Sequence, residues 1–166
     1  VGLDPEFTYQ KLDVAVNCAV QSAFFSTGQR CTAASRLVVT DGIHDRFVAA
    51  MTEKLKSLKI DDALAAGTDI GPVVDQSQLD QNLDYVKVAQ DEGGKLVAGG
   101  QLLTRGTEGF YMAPALITET TPSMRINREE VFGPVASVVR VKDYDEALAV
   151  ANDTAFPPGE GPPLPA

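Results

Sequence analysis

Apolar residues at Leu12, Ala15, Val16, Ala19 and Val20 recur at the spacing of one helix face, so residues 11–22 are expected to form an amphipathic helix. The polar, glycine-containing stretch Ser26-Thr27-Gly28-Gln29-Arg30-Cys31-Thr32 interrupts that pattern. Arg36-Leu37-Val38-Val39-Thr40 is short, β-branched and bounded by Asp41-Gly42, which predicts a buried strand and a turn. A second helix is expected from His44 to Leu58, with Phe47, Met51, Leu55 and Leu58 on one stripe. A third runs over residues 76–92, with Leu79, Leu83, Val86 and Ala89 facing inward and Gly93-Gly94 ending it. Lys95–Ala98, closed by Gly99-Gly100, then Ala115-Leu116-Ile117 and Val135–Val141 are further strand candidates. Residues 143–152, with Leu148 and Val150 apolar, complete the pattern as a final helix.

Strands alternating with helices predict an α/β fold: a mostly parallel, open twisted sheet with flanking helices, its functional residues in loops beyond the carboxyl ends of strands. A chain of 166 residues fits one domain, burying about two-thirds of the surface exposed when unfolded. The ends depart from the pattern. Residues 1–10 show no clean period, and Leu3-Asp4-Pro5-Glu6-Phe7 resembles the leader that an expression vector contributes. Residues 157–166 are so rich in Pro and Gly that they neither supply a hydrogen-bond ladder nor bury a core, so an unfolded tail is expected there. The domain itself is then residues 11–156.

Charge narrows the possible partners. The net charge of -9 argues against nucleic acid, whose phosphates need clustered Lys and Arg, and the scattered acidic residues are most simply a solvated surface. No apolar run approaches the roughly 18 residues of a membrane span, and no secretory leader is visible, which points to a cytoplasmic chain without a membrane partner. Cys18 and Cys31 lack metal-site spacing and His44 is the only histidine, so no metal centre is expected. Cys18, between Ala15 and Ala19, is expected to pack in its helix, and His44 to lie on the surface near a helix start.

Cys31 has a different setting, a polar loop between a helix and a strand. A neighbouring cation or converging backbone N–H groups there would favour the nucleophilic thiolate, although Arg30, adjacent in sequence, need not point the same way. The residues alone leave two readings, a reactive thiol and an inert structural one. On the residues alone Glu129-Glu130 reads as a solvated pair before a strand, Phe132 as core, and Gly133-Pro134 as a turn into the following strand.

Phe25-x-x-Gly28-Gln29-x-Cys31 resembles the active-site cysteine signature of the aldehyde dehydrogenase superfamily. Asn127-x-Glu129-Glu130-Val131-Phe132-Gly133-Pro134 is similar to that family's cofactor-side motif, and Asp69-Ile70-Gly71-Pro72 and Gly109-Phe110-Tyr111-x-x-Pro114 to landmarks between the two. The resemblance covers residues 11–156. It implies an NAD- or NADP-dependent oxidation of a small-molecule aldehyde, in which Cys31 attacks the carbonyl and passes through a thiohemiacetal and a thioester. It also implies that the Cys31 backbone N–H helps hold the oxyanion, that Glu130 binds the nicotinamide-side ribose and that Phe132 packs near the nicotinamide. The stretch Phe24–Ala33 is similar to the semialdehyde branch, especially dehydrogenases of 2-oxoglutarate semialdehyde.

The resemblance further implies a homo-oligomeric parent and a cofactor domain with a Glu general base and an oxyanion-hole Asn. No Glu-Leu-Gly-Gly-like motif precedes Cys31, and after Asn152-Asp153-Thr154 the family's usual continuation gives way to Pro157-Pro158. The expectation is therefore a catalytic-domain fragment that is inactive alone, the cofactor being bound mainly by a domain absent from this sequence. The alternative is a non-catalytic fragment or interaction module that retains the fold.

Overall fold

A computed structural model describes residues 5–153, with side chains from Leu12 onward. Helix α1 (Pro5–Phe24) is followed by a 3₁₀ turn (Phe25–Gly28), strand β1 (Arg36–Thr40), α2 (Asp41–Lys56) and α3 (Gln76–Asp91). Then come β2 (Lys95–Ala98), a small hairpin of β3 (Leu102–Leu103) and β4 (Tyr111–Met112), β5 (Ala115–Thr120), a single turn α4 (Arg125–Arg128), β6 (Val135–Val141) and α5 (Tyr144–Asn152). The main sheet has the order β1-β6-β5-β2; β1, β6 and β5 run parallel, and β2 joins the β5 edge antiparallel.

Alternation along the two central strands explains the layers. Leu116, Ala136 and Val138 pack on one face with Val16, Val20 and Phe24 of α1 and Phe47, Met51 and Leu55 of α2. Ala115, Ile117 and Val135 face the other way, onto Leu79, Val86 and Ala89 of α3. With helices on both faces, β5 and β6 are buried along nearly their whole length, and β6 with the first half of β5 is mostly apolar, as parallel strands covered on two sides are. Helix α3 starts where the Asp75 carboxylate accepts from the Gln78 N–H at 2.8 Å, and α5 where Asp143 accepts from Glu146 N–H at 2.9 Å.

The mostly parallel α/β class and most element positions agree with the periodicity, but several details differ. Helix α1 begins at Pro5, inside the 1–10 segment expected to be irregular. Asp41-Gly42 is no turn: strand β1 passes directly into α2, with Asp41 in the helix's first turn. His44 is buried, on the stripe with Phe47, Met51 and Leu55, and not at the surface. Cys18 is exposed, because the buried stripe of α1 is Val16, Val20, Ala23 and Phe24 and position 18 lies on the opposite side. The hairpin β3–β4 and the turn α4 are too short for any periodicity to reveal. The expected tail at 157–166 lies outside the described residues. Among the described residues no helix is long and apolar enough to cross a membrane.

Candidate active site

The parallel pairing of β1 with β6 creates the site. Arg36 is in register with Ser137, and Cys31 and Phe132 each lie five residues before that pair. The two loops therefore emerge side by side at the amino ends of neighbouring strands, not beyond the carboxyl ends as the fold class suggested. Cys31, Glu130 and Phe132 line one shallow depression of about 40 Å³, floored by Gly28, Gly133 and Val135. The structure thus brings together all three residues singled out from the sequence.

The cysteine loop is held by an unusual backbone. Ser26, Thr27 and Gly28 take φ values of 56°, 60° and 66°, three consecutive left-handed residues that turn the chain sharply out of α1. For the two non-glycine residues this conformation costs roughly 1–2 kcal/mol each. Contacts to a neighbouring segment offset it: the Thr27 hydroxyl lies 3.4 Å from the Gly71 carbonyl and 3.3 Å from that of Pro72, and Gln29 Oε1 accepts from the Val74 N–H at 3.1 Å. The Gly71-Pro72 landmark thereby becomes a buttress of the cysteine loop. Beyond it, the Ala33 N–H bonds to the Arg30 carbonyl at 2.9 Å, which places Cys31, exposed, at the tip of a turn. Arg30 points its guanidinium back to α1, donating to the carbonyls of Gln21 at 2.7 Å and Ser22 at 3.1 Å, so its charge serves the helix end first.

The opposite wall separates two adjacent carboxylates. Glu129 receives both Nε and Nη2 of Arg125 at 2.8 Å and the Tyr85 hydroxyl at 2.6 Å. The Arg125 bonds first, then that of Tyr85, lower its carboxyl to about 2. Burial, then the Glu129 carboxylate, raises the Tyr85 phenol above its usual range. Glu130 is exposed beside Cys31, with no hydrogen bond or ion pair to another described residue. Glu129 is a structural brace and Glu130 an acceptor left open to the depression. Phe132 is half-buried with φ 54°, and Val131 beneath it is 1% exposed.

The two loops touch through their glycines. A Cβ on Gly28 would lie 2.2 Å from the Gly133 carbonyl oxygen, so only glycine allows this approach, and the left-handed φ asks for glycine as well. Asn127, the first residue of the cofactor-side motif, is also structural: buried, it donates to the Thr121 carbonyl at 2.7 Å and accepts from the Ser137 hydroxyl at 2.5 Å.

The sequence pattern that defines the aldehyde dehydrogenase family matches residues 7–158. The chain belongs to that family. Among similar proteins, the alpha-ketoglutaric semialdehyde dehydrogenase of Bacillus subtilis (strain 168) is 39% identical over 147 residues, which cover 87% of this chain and 30% of that protein. The betaine aldehyde dehydrogenase of Brucella anthropi is 36% identical over 159 residues, covering 93% and 33%. A solved structure of 1-pyrroline-5-carboxylate dehydrogenase from Thermus with bound NAD superposes with a TM-score of 0.80 at 41% identity, over 86% of this chain and 27% of that one. The chain spans about 30% of the length of the curated relatives it matches.

In this aldehyde dehydrogenase chain, Cys31, Glu130 and Phe132 stand out in the sequence, whereas the residues that contact their loops do not. Thr27 and Gln29 lie within the cysteine motif and Gln78 and Asn82 between the two motifs, and nothing in periodicity marks their contacts. Asn82 had one available signal: it occupies a core-facing position of α3, between Leu79 and Val86, where an apolar residue is expected. Among the described residues no group of three or more His, Cys, Asp or Glu side chains is arranged to hold a metal ion.

Proposed function

We propose that this chain carries the nucleophile and the nicotinamide-facing wall of an NAD- or NADP-dependent aldehyde dehydrogenase. The observation that supports this most is the convergence of Cys31, Glu130 and Phe132 on one depression at neighbouring strand ends. The donor set suits the cofactor: an exposed carboxylate without a partner among the described residues can accept two ribose hydroxyls, and an aromatic face can position a planar ring. NAD or NADP, when bound, supplies the hydride acceptor.

Cys31 performs the covalent chemistry. Its Sγ forms a bond to the aldehyde carbon while the carbonyl π pair moves to oxygen, giving a tetrahedral thiohemiacetal. The Cys31 backbone N–H helps hold that oxyanion, a kind of contact worth roughly 3 kcal/mol when pre-aimed. After oxidation the acyl group remains on Sγ as a thioester, and water releases the carboxylate and restores the thiol. The exposed turn at Cys31 leaves room for the substrate, while Glu130 and Phe132 define the side from which the cofactor approaches.

The substrate class that fits best is a small polar aldehyde. 2-Oxoglutarate semialdehyde is the first candidate, from the similarity of Phe24–Ala33 to the semialdehyde branch and the likeness to the Bacillus subtilis protein. A depression of about 40 Å³ is far below the roughly 300–1,000 Å³ of sites that enclose small molecules, so this chain provides one wall of a larger site. The expected inactivity of the chain alone follows from that size.

An activated ester tests the nucleophile without the cofactor. With p-nitrophenyl acetate, Sγ bonds to the carbonyl carbon, p-nitrophenolate leaves and the acetyl group stays on sulfur. Cys18 and Cys31 are both exposed, so accessibility does not separate them. Peptide mapping should find Cys31 acylated well ahead of Cys18; equal labelling would remove the basis for assigning Cys31 as the nucleophile.

A further inference from the structure

Asn82 is fully buried in the middle of α3, on the stripe with Leu79, Val86 and Ala89. Its Nδ2 has no hydrogen-bond partner among the described residues. An apolar side chain of the same size would fill the position without stranding that N–H, so core packing alone does not account for the amide.

Its surroundings do. A Cβ on Gly133 would fall 2.2 Å from Asn82 Nδ2 and 2.3 Å from Oδ1, so the carboxamide lies flat against the Gly133 backbone. On its other side, Gly133 presents its carbonyl to Gly28 of the cysteine loop. Asn82 Oδ1 accepts from Gln78 Nε2 at 3.0 Å, and the same Nε2 donates to the Val131 carbonyl at 3.0 Å. Between these two attachments, at Val131 and Gly133, sits Phe132 with its left-handed backbone. The start of α3 is in turn joined to the cysteine loop by Gln29, which accepts from Val74 N–H one residue before the Asp75 cap.

We propose that Asn82 is a positioning residue for the cofactor-side turn. Its amide orients Gln78 to hold Val131 and presses on Gly133, fixing the Phe132 conformation and through it the directions of Glu130 and the Phe132 ring. The inference rests on the reading of Glu130 and Phe132 as cofactor-facing. It adds that their geometry is imposed from α3, one layer below the site, and shared with the cysteine loop through the Gly28–Gly133 contact.

The test is NMR on the isotopically labelled full chain, unsubstituted and as Asn82→Ala, Asn82→Leu, Gln78→Ala and Gln81→Ala. In the unsubstituted chain Phe132 should show the carbon shifts of a left-handed residue, and the amides of Val131, Phe132 and Gly133 should have order parameters near about 0.85. In Asn82→Ala the left-handed signature should be lost and those amides fall below about 0.6, with β1 and β5 unchanged. Asn82→Leu keeps the volume but not the acceptor, and should loosen Val131 and Phe132 as Gln78→Ala does; Gln81→Ala, on the exposed side of α3, should change nothing.

If Asn82→Leu retains the signature and rigidity, the residue merely fills space and the proposal falls; loosening spread equally over β1, β5 and β6 would do the same. Should Asn82→Ala fail to fold, Gln78→Ala and Asn82→Leu still decide the matter. Titration of the unsubstituted chain with nicotinamide mononucleotide separates the underlying reading. Shifts at residues 130–132 support it, and their absence overturns that reading whatever Asn82 does to the turn.

Discussion

Gly28→Ala offers the sharpest test of how the two loops meet. The new Cβ would sit 2.2 Å from the Gly133 carbonyl oxygen, 2.7 Å from its carbon and 2.8 Å from the Ala23 carbonyl oxygen, all backbone atoms that no rotamer change can relieve. The left-handed φ of +66° adds its own penalty for an L side chain. The conformational term is about 1–2 kcal/mol and overpacking against fixed backbone about 1–3 kcal/mol, together roughly 2–5 kcal/mol. A domain of this kind is stable by about 5–15 kcal/mol, so the variant should fold but with a large part of its margin gone. At roughly 2–4 °C per kcal/mol, its thermal midpoint should fall by about 4–20 °C. Gly42→Ala is the matched control, since nothing lies within 4 Å of its Cβ position, in the first turn of α2. It should raise the midpoint slightly, by the roughly 0.4–1 kcal/mol that a helical Gly→Ala change contributes through the unfolded chain. Circular dichroism melts of both variants beside the unsubstituted chain would measure this. A Gly28→Ala midpoint at or above that of the unsubstituted chain would show that the loops do not meet through these glycines.

Two further outcomes follow from the site. The Glu129 carboxyl titrates near 2 in the folded chain, below its ordinary 4.5, so the folded state binds fewer protons than the unfolded one. Its stabilisation is therefore complete above about pH 4.5 and is lost as pH falls toward 2. Melts of Glu129→Gln should lie below the unsubstituted chain near neutral pH and converge with it across that window, while Glu130→Gln should melt within about 0.5 kcal/mol of it throughout; a pH-independent gap for Glu129→Gln would contradict the brace. The chain alone should produce no reduced cofactor above background with 2-oxoglutarate semialdehyde and short aldehydes. A depression of about 40 Å³ cannot enclose both reactants, and holding them in place is worth roughly 7–11 kcal/mol. Turnover abolished by Cys31→Ala would overturn that expectation and show that this chain completes the site unaided.

Local pattern was enough to place most of the elements. Arg36–Thr40, Lys95–Ala98 and Val135–Val141 are strands at the expected limits, because short runs rich in apolar residues with polar or glycine residues at their ends carry their own signal. The cysteine and cofactor-side motifs were equally legible, since each depends on a contiguous set of residue types. What no local pattern contains is which strand lies beside which. Only the parallel pairing of β1 with β6 brings Cys31 and Phe132 to the same edge, and it places them at amino ends. Side-chain roles within the motifs were likewise decided by distant partners. Glu129 and Glu130 are chemically identical neighbours, and it takes Arg125 on α4 and Tyr85 on α3 to make one a brace and leave the other open. Cys18 and His44 exchanged their expected places for the same reason, since the face a helix buries is set by what packs against it, and one polar residue can share that face. Asn82 shows this most directly: an interruption of the apolar stripe in sequence, it lies flat against Gly133 and accepts from Gln78 once α3 is laid beneath that turn.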